Sequence, residues 1–177
     1  MVVEVDGDAR LLEEVRAPAS VSARRLDRFS HADAVALGQA ALGLAERRGL
    51  PVVVRVTRGE QVVFHAAREG TTAEHDDWVR RKINSARRHE IPTLELVLRQ
   101  RVSGRVADWL DPREFAVAGG AVPVVVAGGI AGVIAVSGLV GSVRDDHDLA
   151  MAALRAFRDA DADAGTGAAS ASAEVGG

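Results

Sequence analysis

Residues 115–141 read FAVAGGAVPVVVAGGIAGVIAVSGLVG, and the fold turns on whether this run crosses a membrane or folds back on itself. By count it is long enough to span a bilayer. Pro123 and seven glycines divide it, however, into two short β-branched runs, VPVVV (122–126) and GVIAVSG (132–138), joined by AGGIA (127–131). Proline and glycine interrupt a helix, whereas β-branched side chains pack well on a pleated surface. Runs that are apolar at nearly every position predict a hairpin buried on both faces.

A second hairpin is predicted upstream. LPVVVRVTRGEQVVFHAAREG (50–70) sets two β-rich runs around TRGE, where Gly59 supplies the positive φ of a tight turn. Each hairpin is flanked by helical patterns. Ser30 caps a helix with apolar positions Val35, Leu37, Leu42 and Leu44, stopped by Gly49 and Pro51. Thr71 and Glu74 have the spacing of a capping box for a helix over 73–89, with acidic residues in its first turns and Arg87, Arg88 and His89 in its last. RDDHDLAMAALRAF (144–157) forms a third helix, capped by Asp145 or Asp146. TLELVLRQRV (93–102) fits strand or helix, and ADWLDPREFAVAGG (107–120) is a connection anchored by Trp109 and Phe115. At the N-terminus, 8–16 is a short amphipathic helix, and 17–29 is a loop with a short strand. The tail from Ala160 has almost no large apolar residue and is expected to be disordered. Hairpins alternating with helices describe an α+β domain with a mostly antiparallel sheet.

Composition narrows the function. The 177 residues amount to about one domain, 47% of them hydrophobic, and 22 basic against 25 acidic residues leave a formal charge of -3. No global field draws nucleic acid or anionic membrane, so a charged ligand must meet a local patch. Cysteine is absent, which removes disulfides, thiolate nucleophiles and cysteine metal sites and accords with a reducing compartment. The acidic start MVVEVDGDARLLEEV does not have the form of a signal peptide, and a cytoplasmic location is expected.

GTTAEHDDWVRRK (70–82), and GGAVPVVVAGGIAGVIAVSGL (119–139) followed by DDHD (145–148), resemble two motifs of the haem-degrading domain family, also called GlcG/HbpS-like. FSHADAVALG (29–38) and VVFHAAREGT (62–71) fit the same order. The resemblance covers about 27–158, leaving 1–26 as a lead-in and 159–177 as tail. It implies a profilin-like α/β/α sandwich around a five-stranded antiparallel sheet, assembly into dimers and higher oligomers, and binding or oxidative degradation of haem. Three departures stand out. Ala118 occupies the place of a family histidine and Val122 that of an aromatic residue; Glu74 and His75 replace Asp-Asn; and VGSVRD (140–145) lengthens a loop.

The candidate ligand site is the start of the 73–89 helix, the turn at Gly119 and Gly120, and His147. Arg80, Arg81 and Lys82 are suited to carboxylates such as haem propionates, or form a solvated helix face. Trp78 is a core or interface anchor, or a stacking platform. A first-turn position keeps His147 neutral and ligand-competent, or it is a polar residue hydrogen-bonded across the domain. His75 is placed similarly, or pairs with Asp76 or faces solvent; if two histidines meet, in one chain or across an interface, these are the expected two. The glycine-rich stretches lack phosphate-loop spacing, no HxxxH or HExxH spacing suggests zinc, and Ser137 lacks a GxSxG elbow. No nucleophile–base pair can be placed. Two functions compete: a homo-oligomeric protein binding haem or a related ligand, and a non-catalytic oligomeric adaptor or stress-related scaffold.

Overall fold

The structure is a computed structural model that describes residues 2–106, 108 and 110–173, with side chains from 6 to 162. Trp109 lies outside the described residues. The elements run α1 (Val2–Arg16), α2 (Pro18–Ala23), α3 (His31–Arg47), β1 (Val53–Arg58), β2 (Gln61–Ala67), α4 (Ala73–His89), α5 (Thr93–Ser103), β3 (Ala121–Val126), β4 (Gly129–Ser137) and α6 (Asp145–Ala173). Both expected hairpins form, and β1 pairs with β4 to join them in one antiparallel sheet of order β2-β1-β4-β3. Residues 115–141 therefore fold back on themselves; no described helix is long and apolar enough to cross a membrane.

The sheet has four strands, not the expected five. The segment expected to hold a short strand instead forms α2, opened by Pro18 at a position where its missing N–H costs nothing, and only Arg25 pairs with Val125 in an isolated parallel bridge. This single bridge, with the amides of Leu26 and Val125 donating to Val125 O and Arg24 O at 2.9 Å each, closes part of the outer edge of β3. The rest is closed by Thr93, whose Oγ1 accepts from the Ala121 amide at 3.0 Å, and by Pro123, which has no N–H to offer. β2, at the opposite side, pairs with no second strand among the described residues.

Strand alternation divides the core between two faces. Val54, Val56, Val122, Val124, Ile134 and Val136 meet α3 and α6 on one. Val53, Ala121, Val133 and Ala135 meet Val79, Ile83 and Ala86 of α4 on the other. α3 buries Ala34, Leu37, Gly38, Ala41 and Ala45, while Val35 is exposed, so its inward stripe is set by small residues and not by the expected valine. Smallness is required: a Cβ at Gly38 would lie 2.2 Å from the Phe64 ring. α5 is a helix, its residues Thr93–Leu98 all buried because α1 covers what would otherwise be its outer side through Leu12 and Val15 against Leu94 and Leu98. A helix covered on both sides loses its amphipathic period, which is why 93–102 fits either element.

Two capping expectations shift. Thr71 Oγ1 donates to Arg68 O in the preceding turn, and the box of α4 is made one residue later by Thr72 and His75. Asp145 reaches back to the Ser142 amide and hydroxyl at 2.7 and 2.9 Å, while Asp146 turns inward. α6 continues to Ala173, where disorder is expected. Alanine is the strongest helix former and satisfies its backbone locally; past the packed turns that end at Phe157, Arg158–Ala162 are exposed and bury no face.

Candidate functional site: a cavity over a buried lysine

Lys82 falls on the inward stripe of α4, between Val79 and Ile83, three residues after the first and one before the second. The side chain is 4% exposed, and an isolated ammonium there would be very costly. Nζ lies 2.8 Å from Asp146 Oδ2 and 3.1 Å from Val136 O, with Ser137 Oγ farther away at 3.4 Å. Asp146 Oδ1 accepts from the Leu139 amide at 3.0 Å, which fixes the carboxylate from the other side. Burial pushes the Lys82 ammonium below the ordinary lysine range, with Asp146 pulling the other way. The pair is admitted by Gly119 and Gly120. A Cβ on Gly119 would meet Val143 O at 2.2 Å, and one on Gly120 (φ +128°) would meet Val136 O at 2.4 Å and Lys82 Nζ at 3.0 Å. These glycines are therefore needed for close approach of backbone.

Above this pair lies a cavity of about 650 Å³. Val97, Val117, Leu139 and Val143 supply apolar wall, Trp78 and His75 line the α4 side, and Ser137 and Gly119 lie with Lys82 and Asp146 among its lining. Lys82 and Arg101 face Glu74 and Asp146, so the charged lining sums to zero. The guanidinium of Arg81 sits 4.2 Å from the Trp78 ring centroid and is held by Asp77 Oδ2 at 2.7 Å, which locks the indole from one side.

Of the expected site residues, the cavity brings together His75, Trp78, Lys82 and Gly119, with Gly120 directly behind Lys82. Arg80 and Arg81 point elsewhere. Arg80 bonds Asp77, Glu114 and Arg113 O, and Arg81 bonds Asp77 and Pro112 O, so both cations tie α4 to the 111–114 turn. Arg87 bonds Gly59 O, and Arg88 lies over the Phe115 ring. His147 and His75 do not meet within one chain: His147 lines a separate cavity of about 120 Å³ beneath α1, with Glu14, Ser20 and Arg144. It is 4% exposed and its pKa is lowered to about 4, chiefly by burial.

His75 also has a duty. The Thr72 backbone N–H donates to its Nδ1 at 3.0 Å. An amide only donates, so Nδ1 accepts, and in the neutral ring the proton sits on Nε2. Nε2 then has no lone pair for a metal unless the helix cap is given up. Among the residues lining the large cavity, no other imidazole, thiol or phenol is present. Its size and lining suit haem; its donor set does not include a preformed ligand for haem iron.

The residues that sequence reasoning missed are Asp146 as a partner for Lys82, Ser137 as part of the floor, and Arg101 at the wall. The signal for the first was present: a lysine on the apolar stripe of a helix demands a buried anion.

The comparisons agree with this architecture. The family model described as haem degrading protein HbpS-like matches residues 29–155. The chain belongs to that family. A UPF0303 protein of Streptomyces avermitilis is 38% identical over 135 residues, covering 75% of this chain and 82% of its own. Among solved structures, Ybr137w superposes with a TM-score of 0.74 at 22% identity, over 85% of this chain and 88% of that one. A PduOC–haem complex superposes at 0.61 and 22% identity, over 71% and 92%. At these identities the two structures speak for the fold alone. α1 and α2 precede the region that the family model matches.

Proposed function

We propose that the protein binds a planar amphipathic small molecule of the haem class in the cavity between α4, α5 and the loop from β4 to α6, and that it recognises the ring and not the iron. The observation that carries this is the cavity itself: about 650 Å³, within the range of small-molecule sites, with apolar walls and Trp78 braced by Arg81. Family membership and the haem complex of PduOC support the ligand class. Of the two cations in the lining, Lys82 is committed to Asp146, and the half-exposed Arg101, loosely paired with Asp8 at 3.6 Å, is the one for a ring carboxylate. When bound, haem would bring its own iron chemistry; this chain contributes ring contacts and a carboxylate partner.

Parallel titrations with haem and with iron-free protoporphyrin test the proposal. Both ligands are expected to saturate with similar affinity, Trp78→Ala to weaken both at least about tenfold (about 1.4 kcal/mol), and His75→Ala to leave both nearly unchanged. A strong preference for haem that vanishes in His75→Ala would replace ring recognition by iron ligation.

Self-association and a cytoplasmic location belong to the same proposal. The outer side of β2, where no other described strand pairs, leaves a strand edge that a second copy of the chain could meet. The rival function is a non-catalytic scaffold, and failure of both porphyrins to bind a protein of multimeric native mass would select it.

A further inference from the structure

We propose that Ser137 and Lys82 form a nucleophile–base pair at the floor of the cavity, able to transfer the acyl group of a small apolar ester or thioester. Ser137 ends β4 and is 5% exposed, yet it lines the cavity. Its Oγ is 3.4 Å from Lys82 Nζ, longer than a good hydrogen bond, as catalytic contacts often are before substrate closes the site. Serine activated by lysine is a known alternative to serine activated by histidine. Asp146, 2.8 Å from Nζ and anchored by the Leu139 amide, is a positioning residue that holds the amine over the hydroxyl. A purely structural cross-link would be served as well by apolar residues of similar volume. Here the polar groups adjoin a space lined by Val97, Val117 and Leu139, which suits an apolar acyl chain.

In the step, Ser137 Oγ attacks the carbonyl carbon and its proton passes to the neutral Lys82 amine. The carbonyl π electrons move to oxygen and return as the bond to the leaving alcohol or thiol breaks, and Lys82 protonates that group. Water, deprotonated by the same amine, then attacks the acyl-serine, releasing the acid and restoring the hydroxyl. Lys82 must be uncharged to begin. Burial favours that form and Asp146 opposes it, so the rate rises with pH through the titration of Lys82.

The test uses the full chain with a fluorophosphonate probe and p-nitrophenyl butyrate. The expected results are a covalent adduct located at Ser137 by peptide mass spectrometry, and loss of adduct and of hydrolysis in Ser137→Ala, which removes only a hydroxyl. Asp146→Asn, by removing a negative charge beside Nζ, is expected to move the labelling profile to lower pH, a shift that a merely structural role would not produce. A folded protein that forms no adduct at Ser137 at any pH where it stays folded overturns the proposal. So does undiminished hydrolysis in Ser137→Ala. Neither outcome depends on porphyrin binding.

Discussion

Lys82 illustrates how a position acquires meaning only when its neighbours in space are known. As part of RRK it reads as one of three surface cations, but the stripe Val79, Ile83 and Ala86 carries it inward while Arg80 and Arg81 remain on the flank. Replacing Lys82 by Met strands Asp146, a buried carboxylate, and is expected to cost about 3–5 kcal/mol. The double variant Lys82→Met, Asp146→Leu should recover part of that loss, as measured by urea denaturation. His147 makes the complementary point. Its burial was not legible from a lone histidine in a helix's first turn, because the covering residues Leu11, Glu14 and Val15 lie more than a hundred positions away. The folded state holds it neutral, with a pKa of about 4 against an ordinary 6.5. Its contribution is therefore fully present above about pH 6.5, where both folded and unfolded chains are neutral. It is lost as pH falls toward 4, because the unfolded chain takes up the proton first. The loss amounts to about 3 kcal/mol, and His147→Gln should flatten the dependence of the urea midpoint between those limits.

At the level of elements, the two hairpins and the helices α3, α4 and α6 were legible because each carries its signal locally: β-branched runs around glycine turns, a serine cap, a dipole-ordered charge sequence. What depended on the rest of the molecule was not. The nature of α5 is decided by α1 lying across it, and the fate of 17–29 by whether β3 offers it an edge. The cap of α4 moved from Thr71–Glu74 to Thr72–His75 because Arg68 O claims the first hydroxyl. If His75 serves α4 as a cap, Thr72→Ala and His75→Ala should each lower stability by about 1 kcal/mol, and the pair together by less than the sum, since both remove the contact of the Thr72 hydroxyl with His75 Nδ1 at 3.1 Å. Additive losses in thermal denaturation would assign His75 a role apart from Thr72.

For the whole molecule, the lead-in is integral. Arg16 bonds the buried Glu95 at 2.8 Å, and Leu12 and Val15 are buried against α5. Removing residues 1–17 should cost several kcal/mol, by burial of about 1.5–3 kcal/mol for each large apolar side chain and by leaving Glu95 with one partner fewer. A lowered midpoint in urea checks this, and an unchanged one would make α1 an ornament of the domain.

The two rims of the sheet are unequal. Along β3 every outward donor is spoken for, by Arg24, by Thr93 or by the imide nitrogen of Pro123, while β2 pairs with no other described strand on its outer side. A sheet with one such sealed rim cannot serve as a monomer of an endless ribbon. Backbone pairing along β2 would join two copies edge to edge by a twofold axis and then stop, because each sheet would present only its sealed rim. Growth of the folded sheet beyond a pair would have to proceed through side chains, because a proline, a threonine and one bridging arginine occupy the rim where a third sheet would add.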